Sequence, residues 1–470
     1  MRYDYDLICI GLGPAGMAVS VMGAEMGLKV CAVEREHIGG ECMNVGCIPS
    51  KSLLRMARAR HAFERLEAMG LSPSEKPAVQ DAFPRVRDYV RFINEHKTRG
   101  MFHRVELVLQ EGPASFLDDH TVETGGRRRT ARRIFIATGT RPAVPPIPGL
   151  PETPHLTNLD VFDLDRPPAT LTILGGGSMG CELAQAFARL GTRCTIVHRD
   201  ERLLPSTEPC ASAALEAALA REGVVFHNGV TPARVHKTPE GIVLEAPGGL
   251  RIVSDALLVA AGRTPALEGL GLERAGVRAT ERGIPVDRFL RTSRPHIYAV
   301  GDCNGEVLLT HAAMHQGMTA LMNALLPFPF RMDFRKTPIP WTVFTEPEIS
   351  QVGASEAELR ERGVRYEVVE SRYENYGAAI AEDAGNGFVR ALVSPAGRIY
   401  GACIVGEGSG EMINEWTLAL RRGLRLHDIL LTPHSFPTMG FLTKRVSEAW
   451  AMNRMRPKAV QAFCRFLFRI

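Results

Sequence analysis

The 470-residue sequence has few cysteines, little net charge and no long apolar run, and each shortage excludes a class of protein. Ten cysteines are too few to form a disulfide scaffold in a chain of this length. A formal net charge of +4 gives no electrostatic reason to expect a nucleic-acid partner. No apolar run approaches the roughly 20 residues that cross a bilayer. The apolar content of 45% and the charged content of 23% are those of an ordinary globular protein.

A chain of this length is expected to fold into several domains, each with its own core. The first predicted strand begins at Tyr5, which leaves no room for the charged and apolar regions of a signal peptide. We therefore expect a protein of the reducing cytoplasm. Helical spacing predicts helices over 51–70, 86–104 and 409–423, and strands are expected near 366–371 and 388–393.

A glycine-rich turn near the start of the chain predicts a dinucleotide-binding βαβ unit. An apolar strand leads into Gly11, Gly13 and Gly16, and a small-residue helix and a second strand follow. The first glycine permits a tight turn, the second lets the backbone approach a pyrophosphate, and the third allows close helix packing. Glu34 lies eighteen residues after Gly16, where a carboxylate can accept hydrogen bonds from a ribose.

The same pattern recurs later in the chain, at Gly175, Gly177 and Gly180, again between two apolar strands. One glycine pattern is weak evidence for a nucleotide site, but two with strand, helix and strand in place are strong evidence. The sequence therefore predicts two dinucleotide folds.

The residue eighteen positions after the last glycine differs between the two copies. The second copy has His198, followed by Arg199, where the first has Glu34. A carboxylate would repel a 2′-phosphate, whereas His198, Arg199 and Arg202 would attract one. We therefore expect NADPH at the second site, with NADH as the alternative. The other interpretation is that these are surface residues at the end of a strand.

Cys42 and Cys47, separated by four residues, follow the first glycine loop. A metal site would need further ligands of the same kind nearby, and none follows. Unrelated buried thiols would not need the turns at Gly39, Gly40 and Gly46, which place the pair at the start of a predicted helix. A helix N-terminus lowers the pKa of a thiol and favours the thiolate. We therefore expect a redox-active pair beside a flavin.

The GGECMNVGCIPSK segment at 39–51 resembles the redox-active motif of the class I pyridine nucleotide-disulfide oxidoreductases. That family includes lipoamide dehydrogenase, glutathione reductase and mercuric reductase. The likeness covers almost the whole chain, and it includes the turns at 137–139 and 262–265, the IYAVGD segment at 297–302 and the FTEPE segment at 344–348.

The resemblance implies an α/β fold with two Rossmann-like dinucleotide-binding domains and a C-terminal α+β dimerisation domain. FAD would bind to 1–155, NAD(P) to 156–275, and 276–335 would return to the FAD domain. Residues 336–470 would form the interface of a homodimer.

The resemblance also implies which residues contact the cofactors. Asp302 would bond the ribityl chain of FAD, with Thr310 and the backbone of Ala114 nearby. Other implied FAD positions are Gly40, Gly139 and Arg263, and Gly262 would contact the nicotinamide nucleotide.

The family pattern assigns roles to four catalytic positions. Cys47 would lie against the flavin and Cys42 would attack the substrate. Lys51 would lie near flavin N5, paired with Glu182, because a fixed cation stabilises the reduced, anionic flavin. Electrons would pass between NAD(P)H, FAD, the cysteine pair and an outside acceptor. Ser178 stands where some relatives carry a tyrosine lid, which implies an open nicotinamide pocket.

Near the C-terminus the chain departs from its relatives. In lipoamide dehydrogenase and glutathione reductase a His-Pro pair supplies the partner subunit's general base, and a later Glu orients it. Here Phe436 stands at the position of the base and Phe441 at that of the acid. A positioned base contributes ~10²–10⁴-fold in rate, so we expect poor turnover of lipoamide or glutathione. His434 could replace the base, but we expect a structural role for it.

These two phenylalanines favour an apolar acceptor, such as a quinone or a protein-bound lipoyl group. The alternatives are oxidation of a dihydrolipoyl group with NAD⁺, a mercuric reductase-like reduction, or a docking subunit with a vestigial redox site. Mercuric reductase carries a vicinal cysteine pair at its C-terminus, whereas this chain has Cys464 alone.

Two further segments have patterns with more than one interpretation. His311 and His315 have the spacing of a helical metal pair, but we expect core or flavin-side packing and no metal site. The 458–470 tail combines apolar residues at helical spacing with arginines. It could lie on an anionic membrane surface, although we expect it to pack against a dimer partner.

Overall fold

The computed structural model describes residues 3–72 and 75–469. Within these ranges the chain forms both β-strands and α-helices. The strands are, in chain order, β1 (Tyr5–Ile10), β2 (Val30–Glu34), β3 (Glu106–Leu109), β4 (Ser115–Phe116), β5 (Thr121–Thr124), β6 (Arg127–Ile136), β7 (Thr140–Pro142), β8 (Thr170–Leu174), β9 (Arg193–Val197), β10 (Val225–His227), β11 (Arg234–Thr238), β12 (Gly241–Ala246), β13 (Leu250–Ser254), β14 (Ala256–Val259), β15 (Arg263–Pro265), β16 (Ile297–Ala299), β17 (Trp341–Val343), β18 (Ile349–Gly353), β19 (Glu367–Arg372), β20 (Phe388–Val393) and β21 (Ile399–Val405). The α-helices are α1 (Pro14–Glu25), α2 (Gly40–Asn44), α3 (Cys47–Ala62), α4 (Ala82–Ile93), α5 (Ser178–Arg189), α6 (Pro209–Arg221), α7 (Thr310–Leu325), α8 (Glu356–Glu361), α9 (Gly377–Ala381), α10 (Ser409–Arg422), α11 (Leu426–Leu431), α12 (Phe441–Met455) and α13 (Lys458–Leu467).

The chain divides into two compact units. The first contains the residues up to Gly175 together with Ala186–Val197 and Val230–Lys336. The second contains Gly176–Gln185, His198–Gly229 and the residues from Thr337 onward.

A sheet with the order β3-β2-β1-β6-β5-β4 dominates the first unit, and β16 also pairs with β6. Strand β1 lies parallel between β2 and β6. Its residues are apolar on both sides: Ile8 and Ile10 pack into one core cluster, and Leu7 and Cys9 pack into another. Both faces of this sheet are therefore covered, as expected for a parallel sheet with crossover helices.

Helix α1 carries almost only small residues where it meets α7. A Cβ atom on Gly317 of α7 would lie 2.5 Å from the carbonyl oxygen of Ala15. The glycine therefore allows the backbones of the two helices to approach closely, and this contact holds α1 against the unit's core.

The first unit also contains a second parallel arrangement, in which β8 lies between β9 and β14. An antiparallel sheet with the order β11-β12-β13 follows. The second unit is built on an antiparallel sheet with the order β17-β18-β21-β20-β19. Its core surrounds Trp416 of α10, which is fully buried with Val446 of α12.

The predicted α/β class is confirmed by these parallel and antiparallel sheets. The predicted strands near 366–371 and 388–393 and the helix over 409–423 are confirmed as β19, β20 and α10. The helix expected over 51–70 begins earlier, at Cys47, and ends at Ala62. The four domain boundaries remain predictions. None of the described helices has both the length and the apolar character needed to cross a membrane.

Candidate functional site

The two cysteines of the 39–51 segment lie on consecutive helices of the first unit. Cys42 lies in the middle of α2, and Cys47 is the first residue of α3. The chain reaches this position because Gly39 and Gly40 adopt φ values of 90° and 55°. A Cβ atom on Gly40 would lie 2.8 Å from Cα of Gly13. The segment therefore approaches the first glycine loop more closely than any side chain at residue 40 would permit.

Both cysteines are half-buried thiols. Hydrogen bonding between the two side chains, together with burial, raises the pKa of Cys42. The Sγ atom of Cys47 lies 3.4 Å from Oγ1 of Thr310, the first residue of α7. The expected lowering of the thiol pKa by a helix N-terminus is therefore wrong for Cys42, because its neighbour and its burial favour the protonated form.

Lys51 lies four residues after Cys47 on α3, which places the two side chains one helical turn apart. Glu182 is a buried carboxylate on α5, and its Oε1 atom accepts a hydrogen bond from the backbone N–H of Phe344 at 3.0 Å. The pairing of Lys51 with Glu182 remains a prediction. Ser178, the first residue of α5, is exposed.

Glu34 fixes the first glycine loop. It lies buried at the end of β2, and its Oε2 atom accepts a hydrogen bond from the backbone N–H of Leu12 at 2.7 Å. Its Oε1 atom accepts from the N–H of Glu36 at 2.8 Å. Burial raises the pKa of Glu34. Gly11 and Gly16 are in direct contact within this loop, since a Cβ atom on Gly16 would overlap the carbonyl oxygen of Gly11.

The structure reveals a charged network around Glu41, which lies between Gly40 and Cys42. Its Oε2 atom is bonded by Nη2 of Arg263 and accepts from Nδ2 of Asn158 at 3.0 Å. Its Oε1 atom lies 3.6 Å from Nη1 of Arg141. The family resemblance assigned Arg263 to FAD, whereas Glu41, Asn158 and Arg141 had no predicted role. No local pattern could have revealed them, because Glu41 and Arg263 are 222 residues apart in sequence.

Asp302 adjoins this network through Thr140. Nε of Arg263 donates to Oγ1 of Thr140 at 2.6 Å, and this hydroxyl lies 3.4 Å from Oδ2 of Asp302. Burial raises the pKa of Asp302, and the positive charge of Arg263 acts in the opposite direction. Of the other predicted FAD residues, Gly139 lies in the turn between β6 and β7, and Ala114 is buried immediately before β4.

His198 has a different role in the structure from the one expected of it. It is buried, and its Nδ1 atom accepts a hydrogen bond from the backbone N–H of Gly176 at 3.0 Å. This bond matches the one between Glu34 and Leu12, since both acceptors hold the second residue of a glycine loop. Burial lowers the pKa of His198, so the ring is neutral at pH 7. The expectation that His198 supplies a positive charge is therefore wrong.

The arginines beside His198 are engaged to different extents. Arg199 has a side chain that is 80% exposed and lies 3.7 Å from Asp200. The Nη2 atom of Arg202 donates to the carbonyl oxygens of Pro205 and Thr207 at 2.9 and 3.0 Å, so this guanidinium holds its own loop.

The glycines predicted to contact the nicotinamide nucleotide occupy turns and a helix start. Gly175 begins the loop that follows β8, and Gly180 is buried in the first turn of α5. The position of an added Cβ atom on Gly177 is open, as it is on Gly13. The carbonyl oxygen of Gly262 accepts a hydrogen bond from Ala143 at 3.0 Å.

His434 is held by two acceptors. Its Nε2 atom lies 2.9 Å from Oε1 of Glu415, and its Nδ1 atom lies 2.9 Å from the carbonyl oxygen of Thr432. Both ring nitrogens therefore face oxygen atoms of the protein itself. This geometry supports the structural role that we expected for His434.

An aromatic cluster occupies the region where the relatives carry their base and acid. The ring of Phe441 stacks on Tyr376 with centroids 5.9 Å apart, and Phe436 meets it edge-on at 5.5 Å. Phe436 is 70% exposed. The cluster therefore presents an apolar aromatic surface to solvent.

The two histidines of α7 have different environments. His311 is exposed, which contradicts packing in the core, and His315 is half-buried with its Nε2 atom 3.4 Å from Oγ1 of Thr319.

Asp119, His120 and His296 are the one group among the described residues with the spacing of metal ligands. The rings of His120 and His296 stack with a tilt of 14°, so their lone pairs run nearly parallel and do not converge on one ion.

Two family models match the chain. The model of the pyridine nucleotide-disulphide oxidoreductases matches residues 5–317, and that of their dimerisation domain matches residues 339–445. The chain belongs to this family. It is an oxidoreductase that uses FAD, a pyridine nucleotide and disulfide chemistry, and the matched dimerisation domain supports a homodimer.

Relatives with different activities share similar percentages of identical residues with this chain. A dihydrolipoyl dehydrogenase of Thermus scotoductus is 36% identical, with 95% of this chain and 97% of the relative covered. A mercuric reductase of Streptomyces lividans is 34% identical, with coverages of 96% and 97%. The solved structure of the HOCl-induced flavoprotein disulfide reductase RclA of Escherichia coli matches with a TM-score of 0.84 at 26% identity, covering 95% of this chain and all of that one.

The first glycine loop fits the pyrophosphate of FAD. No side chain of the described residues caps the N-terminus of α1, so its first N–H groups are open to an anion. The space around the missing Cβ of Gly13 is also open. The buried hydroxyl of Thr138 has no hydrogen-bond partner within the described ranges, which leaves a polar group for a ligand to satisfy.

The Glu41 network yields a prediction about stability. Glu41→Gln removes the negative charge between Arg263 and Arg141, and we expect it to lower the free energy of unfolding by about 1–3 kcal/mol. Thermal unfolding of the FAD-free protein measures this effect without any contribution from cofactor binding. Glu36→Gln is the matched control, because Glu36 pairs with the same Arg141 at an exposed site and should change stability by less than about 1 kcal/mol. Equal losses in both variants would contradict a special role for Glu41.

Proposed function

We propose that Cys42 and Cys47 form the redox-active pair of this enzyme and that electrons leave the protein through Cys42. The close approach of Gly40 to Gly13 carries this proposal, because it brings the segment that contains Cys42 and Cys47 to the loop that fits FAD.

When bound, FAD would take electrons from the pyridine nucleotide and deliver them as a pair to the cysteines. The Cys42–Cys47 disulfide would then accept two electrons and become two thiols. Cys42 would attack one sulfur of an acceptor disulfide to form a mixed disulfide, and its thiol proton would pass to the other sulfur, which leaves as a thiol. Cys47 would next attack Sγ of Cys42, which would release the second acceptor thiol and restore the internal disulfide.

Lys51 and Glu182 would assist this exchange as a cation and its buried partner. Lys51 lies one helical turn from Cys47, so its ammonium can stabilise negative charge that develops near that sulfur. Glu182 is fixed by the backbone of Phe344 and would orient the ammonium.

The acceptor that fits the aromatic cluster best is an apolar disulfide, such as a protein-bound lipoyl group. The resemblance assigns Phe436 to the position of the base, and in this chain Phe436 offers an exposed ring there that packs edge-on against Phe441. The dihydrolipoyl dehydrogenase relative supports the lipoyl group. A quinone is the second candidate, because planar rings stack on exposed aromatic side chains.

Replacement of the attacking thiol tests the proposed pair. Cys42→Ser should lower the rate of disulfide reduction by at least about 10³-fold, because the nucleophile is lost. Reduction of the bound flavin by the nucleotide, followed anaerobically in a stopped-flow instrument, should continue. Cys464→Ser removes an exposed thiol and serves as the control. Undiminished turnover of lipoyl substrates by Cys42→Ser would contradict the proposal.

We further propose that the enzyme prefers NADPH to NADH. Of the three basic residues considered for the 2′-phosphate, this proposal uses only the positive charge of Arg199. Its side chain is exposed next to the end of β9, where a 2′-phosphate could be bound by a charged hydrogen bond.

Arg199→Gln should lower kcat/KM for NADPH by roughly 10–100-fold, the value of one charged hydrogen bond, and leave NADH unaffected. Steady-state kinetics with both nucleotides measure the ratio. Arg221→Gln, at the exposed end of α6, removes the same charge elsewhere and should change neither constant. A wild-type enzyme with a strong preference for NADH would refute this assignment.

A further inference from the structure

The helix α13 has no buried residue. All ten of its residues are exposed, and Phe468, directly after it, is 94% exposed. Phe463 and Phe466 are 60% and 61% exposed, and Leu467 is 53% exposed. A cluster of large apolar side chains of this kind marks a surface that binds something.

The side chains of α13 divide into two faces. Val460, Phe463 and Leu467 recur at helical spacing, and Phe466 flanks them on the same side. Lys458 and Arg465 lie on the opposite side, seven residues apart and therefore aligned along the helix. The helix is thus amphipathic, with a polar face that carries only positive charge.

The charged residues in and around α13 indicate which kind of partner its exposed surface binds. The sequence has no acidic residue after Glu448, whereas five arginines and lysines follow it: Arg454, Arg456, Lys458, Arg465 and Arg469. An acid-free basic stretch complements the negative surface of a membrane that contains anionic lipids. Phenylalanine and leucine on the other face are the residues that enter the boundary between headgroups and acyl chains.

Helix α13 lies outside the part of the chain that the dimerisation-domain model matches. The matched dimerisation domain ends at residue 445, so α13 begins thirteen residues beyond it.

We propose that α13 docks the enzyme on the surface of a bilayer containing anionic lipids. The helix lies in the plane of the interface, with Phe463, Phe466 and Leu467 among the acyl chains and Lys458 and Arg465 among the headgroups. This inference does not depend on the roles of Cys42 and Cys47, and its readout is independent of turnover.

Co-sedimentation of the purified holoenzyme with vesicles tests this docking. We expect the enzyme to bind vesicles of phosphatidylcholine and phosphatidylglycerol, to bind phosphatidylcholine alone weakly, and to be released as the salt concentration rises. The double variant Lys458→Gln, Arg465→Gln should lower the partition coefficient on the anionic vesicles by roughly 30-fold. The double variant Phe463→Ser, Phe466→Ser should abolish binding to both vesicles.

Two matched controls separate the helix from general surface properties. Arg421→Gln with Arg422→Gln removes the same charge from the exposed end of α10, and Leu431→Ser removes an apolar side chain that is 77% exposed. Both should bind like the wild type.

Sedimentation equilibrium on the same variants measures the oligomeric state, which should be unchanged. The proposal is overturned if the holoenzyme binds no vesicle, or if the control variants lose binding as much as the α13 variants. The proposal would also be overturned if the double variant Phe463→Ser, Phe466→Ser dissociated into monomers. That result would show that the apolar face of α13 packs against the second subunit.

Discussion

The chemistry proposed for this protein depends on the close approach of Gly40 to Gly13. The first glycine loop without the cysteines would bind a nucleotide but could pass no electrons to a disulfide. Two cysteines elsewhere on the surface would lie too far from a bound cofactor to receive its electrons. With residue 40 lacking a Cβ atom, the backbone that carries Cys42 and Cys47 lies directly on the loop. A dithiol is thereby built into the nucleotide-binding end of a parallel sheet, where ligands of such folds bind.

The charged network around Glu41 supports this arrangement from the opposite side. Glu41 is adjacent to Cys42 in sequence, and its bonds to Arg263 and Asn158 connect the cysteine-bearing segment to two distant parts of the first unit. The same arginine reaches Thr140 and, through it, Asp302. The position of the thiols and that of the carboxylate predicted to bind the ribityl chain are therefore coupled through one guanidinium.

The sequence predicted those features that depend on local geometry. Both glycine loops, the strand–helix order around them and the helix at α10 follow from spacings of a few residues, and the structure contains them. The role of Glu41 could not be predicted, because its partners are brought to it only by the fold. The charge of His198 was also beyond prediction: a histidine at the end of a strand attracts phosphate when it is exposed, but here burial and the Gly176 N–H keep it neutral. The Glu415 partner of His434 has no sequence signal for the same reason.

The central claim is that electrons leave through the Cys42–Cys47 pair, and differential alkylation of the thiols tests it most directly. The oxidised holoenzyme is treated anaerobically with one equivalent of the nucleotide, alkylated with a maleimide and digested, and the Cys42 and Cys47 peptides are quantified by mass spectrometry. The account predicts that neither cysteine is labelled before reduction and that Cys42 is labelled after it. Equal labelling of Cys42 in both states would show that these thiols take no part in the electron transfer.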